Sequence, residues 1–306
     1  MPVSGVDESV PKVAETALGR VSWIEARPAS ALAEDAVPLV LIHGFTGHRD
    51  DFIGVMSEIA ELGQGRRVVV PDLRGHGNSD NKPGGLGWSF DQLVNDLVAF
   101  LDHLGLDRVD LLGHSMGGFV VLRFALAHPE RVRSLILLCT GPEAAETLPK
   151  EAFLKGATIA EDRGIDGFQQ LLEHVGRSDM SPRIANWAER YWNHHRRRLG
   201  AMTPASYRGL GAALFDSESL VPRLREIDLP TLVLVGEFDE DWLSGAELFE
   251  QNLARVHRVT LPNAEHHPHI ENKQAFLAAL ESHFEAVETS RRRDLTVATP
   301  TLENQE

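Results

Sequence analysis

The feature that most constrains the fold of this chain is a series of short, almost continuously apolar runs separated by longer stretches with helical periodicity. The apolar runs lie at residues 37–42, 67–71, 109–112, 134–139, 231–235 and 256–261. The helical patterns lie at residues 50–62, 89–104, 116–127, 243–253 and 271–287. Strands that are apolar on both faces and alternate with helices predict an α/β fold, with a mostly parallel central sheet flanked by helices.

The alternation is interrupted once, between residues 141 and 217. This stretch contains no strand pattern, and apolar residues such as Phe168 and Leu172 recur at helical spacing. It follows the carboxyl end of a sheet strand, the edge at which open α/β sheets bind ligands. We therefore interpret it as a helical lid, or cap, over a site; an independent small domain is the alternative.

The predicted organisation is a core formed by residues 19–140 and 218–288, interrupted by the cap at residues 141–217. Residues 1–18 and 289–306 carry little hydrophobic pattern, and we expect them to be flexible tails. The N-terminus lacks the basic and apolar segments of a signal peptide, and no apolar run is long enough to span a membrane. A cytoplasmic location is therefore expected.

The formal net charge of −15 bears on the class of partner. An acidic surface repels nucleic-acid phosphates and anionic lipid head groups, so we expect a small-molecule substrate rather than nucleic acid or a membrane. The single cysteine, Cys139, lies in an apolar run and is interpreted as a core thiol outside any metal-binding spacing.

The strongest functional signal is Gly-His-Ser-Met-Gly-Gly at residues 113–118, which has the form G-x-S-x-G. It directly follows the apolar run 109–112 and precedes a helical pattern, so the serine is expected at the tip of a sharp strand-to-helix turn. Flanking glycines avoid collisions there, and the helix N-terminus favours negative charge at the hydroxyl. The pattern predicts that Ser115 is a nucleophile; a simple turn is the alternative.

A serine nucleophile needs a base, and the base needs an orienting acid. Asp239 follows the apolar run 231–235 and is the predicted acid, with Asp241 and Glu237 as competitors. The alternative role for such a carboxylate is to cap the following helix, and this role would suit Asp241 better than Asp239.

The predicted base is His266, the first histidine of the loop after the last apolar run. The chain order of serine, acid and histidine is the one expected for this type of site. His267 and His269 are interpreted as packing or surface groups, and His114 is expected to point away from the site.

Two backbone N–H groups are predicted to bind the oxyanion of a tetrahedral intermediate. One belongs to Met116, the residue after the nucleophile. The other belongs to Phe45, in the glycine-containing loop at residues 43–47, for which a simple glycine turn is the alternative.

Five segments in this order resemble the α/β-hydrolase superfamily, in its capped branch of esterases and related small-molecule hydrolases. They are His43–Gly47, Pro71–Asp80, Gly113–Gly118, Gly236–Asp239 and His266–Glu271. The resemblance covers residues 20–287 and implies the α/β-hydrolase fold with a serine triad. It also implies that residues 72–80 form a structural loop whose His76 is not the base. No metal or organic cofactor is implied.

The chain is also similar to the menaquinone-pathway synthases that eliminate pyruvate to form a succinyl-cyclohexadiene carboxylate. It shares their Gly-Phe-Thr-Gly loop and Ser-Met-Gly-Gly turn. That family has arginine four residues after the serine and tyrosine before it, where this chain has Phe119 and His114. The apolar Phe119 and an aromatic-rich cap favour a mostly apolar substrate.

The sequence therefore predicts a serine hydrolase that cleaves a carboxylic ester or lactone of a small, mostly apolar substrate. Carbon–carbon bond hydrolysis or pyruvate elimination on the same triad is the alternative, and it requires a cationic pocket. The candidate cations are Arg123, Arg163, Arg177 and Arg208. A non-catalytic ligand-binding protein is a further alternative.

Overall fold

The computed structural model describes residues 10–32, 36–148, 150–178 and 188–298. The strands are β1 (Lys12–Thr16), β2 (Gly19–Ala26), β3 (Leu39–Ile42), β4 (Val68–Pro71), β5 (Val109–His114), β6 (Val132–Leu138), β7 (Thr231–Gly236) and β8 (Val256–Leu261). They form one eight-stranded sheet in the order β1-β2-β4-β3-β5-β6-β7-β8. β2 is antiparallel to both of its neighbours, and every other pair is parallel. The predicted mostly parallel sheet is confirmed.

The helices that accompany this sheet are α1 (Met56–Glu61), α2 (Phe90–His103), α3 (Met116–Ala127), α4 (Lys150–Ser178), α5 (Ala188–Gly200), α6 (Pro204–Phe215), α7 (Glu240–Asn252), α8 (Pro268–Glu271) and α9 (Lys273–Ala298). Every residue of β3 through β7 is buried. Burial of both strand faces explains why these segments are continuously apolar instead of alternating. In the described part of the chain, no helix is both long enough and apolar enough to cross a membrane.

The strand order places the site. β3 lies between β4 and β5, so the chain builds outward on one side of β3 and then crosses to the other. The carboxyl ends of β3 and β5 border the crevice at this switch point, the location at which open α/β sheets bind ligands. The loop after β3 begins at His43, and the turn after β5 contains Ser115.

The helices α4, α5 and α6 lie between β6 and β7, where the sequence predicted a helical insertion. They contact the core near the switch point. Ser206 at the start of α6 donates from Oγ to the Gly75 carbonyl oxygen at 3.1 Å. The rings of Tyr207 and Phe45 lie 5.0 Å apart. Part of the cap, residues 179–187, falls outside the described residues, and its function as a lid stays a prediction.

The expected tails differ from the structure at both ends. Residues 12–16 form the edge strand β1, in which Ala14 alone is buried, so no apolar run marked it. β2, its partner, was likewise not predicted. Helix α9 continues to residue 298, because no glycine or proline interrupts the sequence before Pro300. Residues 1–9 and 299–306 lie outside the described residues.

A buried carboxylate lies near the amino ends of the strands, at the end of the sheet opposite the predicted site. Asp110, near the start of β5, is fully buried and accepts hydrogen bonds from Arg133 Nε at 2.9 Å and Ser134 Oγ at 2.7 Å. Arg66 Nη1 lies 3.2 Å from its other oxygen. Arg133 also pairs with Glu288 on α9. The cluster therefore joins two parallel strands to the C-terminal helix.

Asp110→Asn should lower the free energy of unfolding by about 3–5 kcal/mol, because it leaves the buried guanidinium group of Arg66 without its carboxylate and removes one of the two carboxylates that pair with Arg133. Urea unfolding followed by tryptophan fluorescence measures the loss. Asp102→Asn is the matched control: it removes an aspartate whose side chain is 59% exposed and pairs with Arg131 at 2.8 Å. That change should lower stability by at most about 1 kcal/mol. Equal losses of stability in the two variants would contradict the structural importance of the Asp110 cluster.

Candidate active site

Ser115 occupies a strained position between β5 and α3. Its backbone angles are φ 53° and ψ −122°, a region that residues with a side chain rarely adopt. Its N–H donates to the Leu138 carbonyl oxygen at 3.0 Å, and its own carbonyl oxygen accepts from Thr140 Oγ1 at 2.8 Å. Strained backbone of this kind persists where the surroundings fix it, and it is concentrated at functional sites.

Gly117 makes this turn possible because α3 begins directly against the end of β3. A Cβ atom at Gly117 would collide with the carbonyl oxygen of Ile42 and lie 2.7 Å from that of His43. The N-terminus of α3, which starts at Met116, therefore lies at the level of the loop after β3. Helix N-termini carry free N–H groups and partial positive charge, as an oxyanion requires.

The loop after β3 lies against Ser115. A Cβ atom on Gly44 would be 3.1 Å from the Ser115 Cβ, so glycine allows the closest approach. His43 Nδ1 donates to the Gly44 carbonyl oxygen at 2.8 Å, and its Nε2 accepts from the Leu73 N–H at 3.0 Å. Burial lowers the pKa of His43 to about 3, so the ring is neutral, as the acceptor role of Nε2 requires.

Phe45 is held from the other side by the loop at residues 72–80. His76 is fully buried, and its Nε2 donates to the Phe45 carbonyl oxygen at 2.8 Å. Burial also lowers the pKa of His76. This histidine therefore supports the predicted oxyanion loop.

Asp239 and His266 are brought together at the carboxyl ends of β7 and β8. Asp239 Oδ2 lies 3.0 Å from His266 Nδ1, with the Asp239 side chain 5% exposed and that of His266 32% exposed. Asp239 stands at the N-cap position of α7, yet its side chain makes no capping hydrogen bond. The carboxylate is directed to the histidine instead of the helix.

Neither competing acid takes the place of Asp239. Asp241, which the sequence suggested as a helix cap, lies inside the first turn of α7 and lines the cavity next to Asp239. Glu237 accepts a hydrogen bond from the Asn263 N–H at 2.9 Å. Of the three carboxylates, Asp239 is the one bonded to the His266 ring.

His114, the residue before Ser115, supports the loop that carries His266. Its ring is 2% exposed, and Nε2 donates to the His266 carbonyl oxygen at 2.8 Å. Burial, followed in size by the nearby His266 and His269 rings, lowers the pKa of His114 well below its ordinary value. The sequence indicated that His114 points away from the site and gave no sign of this bond.

The buried thiol of Cys139 lies next to the Asp239–His266 pair. Cys139 follows β6 with φ 48°, and its Sγ, an Asp239 oxygen and a His266 ring nitrogen all lie within 4.8 Å of one another. Burial and the Asp239 charge raise the pKa of the thiol well above its usual range, so it keeps its proton. Because Asp239 comes from a distant strand, the sequence could not indicate this contact.

Ser115, His266 and Asp239 line one cavity of about 600 Å³. Its apolar and aromatic walls come mainly from the cap, through Leu148, Phe153, Phe168, Leu172, Tyr207, Leu214 and Phe215. Phe45 and Trp242 of the core complete these walls. The charged residues in the wall are acidic: Asp239, Asp241, Glu265 and Glu271. Among the described residues that line this active-site cavity, none is a lysine or an arginine. Such walls suit an apolar, uncharged ligand.

A family model described as the alpha/beta hydrolase fold matches residues 37–273 of the chain. A hydrolase from Pseudomonas aeruginosa PA01 has a similar structure, with a TM-score of 0.75 and 25% identity, covering 91% of this chain and 99% of that chain. An enol-lactonase from Burkholderia xenovorans LB400 gives a TM-score of 0.75 at 20% identity, over 90% of this chain and 100% of that chain. At that identity the second likeness concerns the fold alone.

Curated relatives include a putative 2-succinyl-6-hydroxy-2,4-cyclohexadiene-1-carboxylate synthase of Bacillus subtilis. It is 28% identical over 253 residues, which are 80% of this chain and 88% of that protein. A 2-hydroxy-6-oxo-2,4-heptadienoate hydrolase of Pseudomonas putida is 40% identical over 101 residues, or 33% of this chain and 36% of that enzyme. The second match therefore spans about a third of either protein.

If Asp239 orients the base, Asp239→Asn should lower kcat by about 10⁴-fold, because an amide favours the wrong histidine tautomer and cannot stabilise its cation. Asp241→Asn, two residues away in the same cavity wall, is the matched comparison and should change kcat by less than about tenfold. Steady-state hydrolysis of a chromogenic ester measures both. A larger loss in the Asp241 variant would transfer the role to that residue.

Proposed function

This chain belongs to the α/β-hydrolase fold family, and from that membership we propose that it is a serine hydrolase acting on a carboxylic ester or lactone. The observation that carries the proposal is the arrangement of three groups from separate strand ends. Ser115 on its strained turn lines the same cavity as His266, whose Nδ1 is 3.0 Å from Asp239 Oδ2. Nucleophile, base and orienting acid are the parts that acyl transfer requires.

In the proposed mechanism, Ser115 Oγ attacks the substrate carbonyl while His266 Nε2 accepts its proton. Asp239 holds the ring through Nδ1–H and stabilises the imidazolium that forms. The N–H groups of Phe45 and Met116 bind the oxyanion. His266 then protonates the leaving alcohol. In the second half, His266 takes a proton from the water that attacks the acyl-enzyme and gives it to Ser115 Oγ as the carboxylic acid departs.

The walls of the active-site cavity favour an uncharged acyl group. Burying a carboxylate among apolar side chains without a cation or hydrogen-bond donors is strongly unfavourable. The neighbouring carboxylates of Asp241 and Glu265 add repulsion. The proposed substrate therefore has a small, mostly apolar acid half.

The alternative is carbon–carbon bond hydrolysis or pyruvate elimination on the same triad, and the names of the two curated relatives favour it. The cations suggested by the sequence do not support it, because Arg123, Arg163, Arg177 and Arg208 are all absent from the described residues that line the active-site cavity. Arg123 lies over the Phe90 ring at 4.7 Å, and Arg177 and Arg208 pair with glutamates. Phe119 is fully buried and stacks on Phe90, with ring centroids 5.4 Å apart.

Hydrolysis of p-nitrophenyl esters from acetate to long acyl chains tests the proposal. Ser115→Ala should lower kcat by about 10⁴-fold or more, because no other group supplies the acyl-accepting hydroxyl. Ser219→Ala, which removes an exposed hydroxyl before the 3₁₀ turn at Val221–Glu226, is the matched control and should keep wild-type rates. Wild-type protein inactive on every ester would contradict the esterase assignment and bring the carbon–carbon substrates or a non-catalytic function forward.

A charged acyl group separates the two candidate functions. p-Nitrophenyl hemisuccinate differs from p-nitrophenyl butyrate mainly by a terminal carboxylate on the acid half. We expect its kcat/KM to be lower by about tenfold or more, because the carboxylate meets apolar and acidic walls. Faster turnover of the hemisuccinate would favour the carboxylated substrates of the alternative.

A further inference from the structure

A second cavity, of about 530 Å³, adjoins the active-site cavity. Its walls come from the 3₁₀ turn after the oxyanion loop, from α5, and from the segment that follows His266. Tyr191 and His267 line both cavities, so the two share a boundary beside the proposed base. We call the second one the basic cavity, for the reason that follows.

The charges in its wall are mostly positive. The cationic side chains are Arg190, Arg197, Arg198 and Lys273, against the two acids Asp50 and Asp51. Lys273 pairs with Glu58 at 3.0 Å, whereas neither Arg190 nor Arg197 pairs with a carboxylate within the described ranges. In a chain with a net charge of −15, this wall is therefore a place of local positive excess.

Arg198 is the central observation. The residue is 6% exposed, and its Nε has no hydrogen-bond partner among the described residues. The carboxylate oxygen paired with it, Asp51 Oδ2, lies 3.8 Å from Nη1, which is too far for a hydrogen bond. Buried N–H donors are nearly always satisfied, so the Nε of Arg198 is an exception in the wall of this cavity.

Asp51 does not fill that place, because its nearer oxygen lies 3.8 Å from Nη1 and each of its oxygens is held by a hydrogen bond from another group. Its Oδ1 accepts from His194 Nε2 at 2.7 Å, and its Oδ2 accepts from the His48 N–H at 3.3 Å. His194 Nδ1 in turn accepts from Arg197 Nη2 at 3.3 Å. Although burial opposes ionisation, the charge of Arg198 and the bond from His194 lower the pKa of Asp51. The acid therefore holds α5 against the core.

The position of the basic cavity indicates which half of a substrate it meets. In acyl transfer, the base must reach the leaving oxygen to protonate it, so the alcohol half lies on the His266 side of Ser115. His267 directly follows the base and belongs to the wall of the basic cavity. The acid half remains among the apolar walls of the active-site cavity.

We propose that the basic cavity binds an anionic group, a carboxylate or a phosphate, on the alcohol half of the ester. Arg198 and Arg197 donate hydrogen bonds to it, and Arg190 adds charge at the exposed side. The substrate class is thus an apolar acid esterified to an anionic alcohol. This inference rests on the proposed function for the orientation of the ester, but not for the binding of the anion.

Two butyrate esters test the assignment by turnover. The 4-hydroxybenzoate ester has an anionic leaving half, and the 4-hydroxybenzamide ester is its neutral counterpart of similar shape. After correction for their alkaline hydrolysis rates, the wild type should prefer the anionic ester by about tenfold in kcat/KM, through a lower KM. Arg197→Gln and Arg190→Gln, both at exposed positions, should each reduce this preference.

Arg196→Gln is the matched control. Arg196 is adjacent to Arg197 on α5 but bonds Glu173 at 2.7 Å and does not line the basic cavity. The preference for the anionic ester should survive this change. The anion site would be overturned if the wild type hydrolysed the two esters equally well, or if the preference were equally strong in Arg197→Gln. Hydrolysis of the neutral ester would be unaffected by either result, so the proposed function would stand.

A binding measurement makes the result independent of turnover. Calorimetric titration of Ser115→Ala protein with benzoate and with phenyl phosphate should show one salt-sensitive site, weakened about tenfold by adding Arg197→Gln or Arg198→Gln. The tighter probe identifies the anion. No binding, or binding unaffected by the arginine substitutions, would overturn the site. Failure of the wild type on every ester would instead overturn the proposed function and leave this binding result standing.

Discussion

The backbone of Ser115 is the constraint on which the rest of the site depends. Residues in such unusual conformations cost about 1–3 kcal/mol each, so the fold must supply interactions that hold the turn. It does so from three directions, through the Leu138 carbonyl, the Thr140 hydroxyl and the Gly118 N–H, which donates to the Ser115 oxygen at 2.8 Å. Two of these groups come from β6 and the residues just after it, so the turn requires β6 beside β5.

Neutral histidines perform much of the remaining positioning. His43, His76 and His114 are all buried beside the predicted triad, and burial lowers the pKa of each. A neutral imidazole offers one donor and one acceptor in a plane, which suits it to fixing a carbonyl or an N–H of a neighbouring loop. Two of the three hold the predicted oxyanion loop, and the third holds the carbonyl of His266. These loops are thus fixed in part by neutral side chains.

The sequence was most informative where structure depends on local pattern. Continuous apolar runs predicted the buried strands. The G-x-S-x-G pattern predicted the position of Ser115 between a strand and a helix, because the spacing of its glycines is a local requirement of the turn. The sequence did not predict β1, because an edge strand needs no apolar run and the one buried residue of β1 is Ala14. Cys139 beside Asp239, and Arg198 beside Asp51, depend on packing between distant segments, which periodicity does not encode.

The acidic wall of the active-site cavity and the cationic wall of the basic cavity have a common physical reason. In the proposed mechanism, acyl transfer places a positive charge on the imidazole of His266, and the carboxylate of Asp239 stabilises it. The carboxylates of the acidic wall repel an anion in that cavity, so a negatively charged substrate must carry its charge away from the acid half. The cations of the basic cavity are separated from the imidazole by His267, whose pKa burial lowers well below its ordinary value. The proposed substrate requires this separation of the two fields, because the site must favour a cation in the transition state and bind an anion in the ground state.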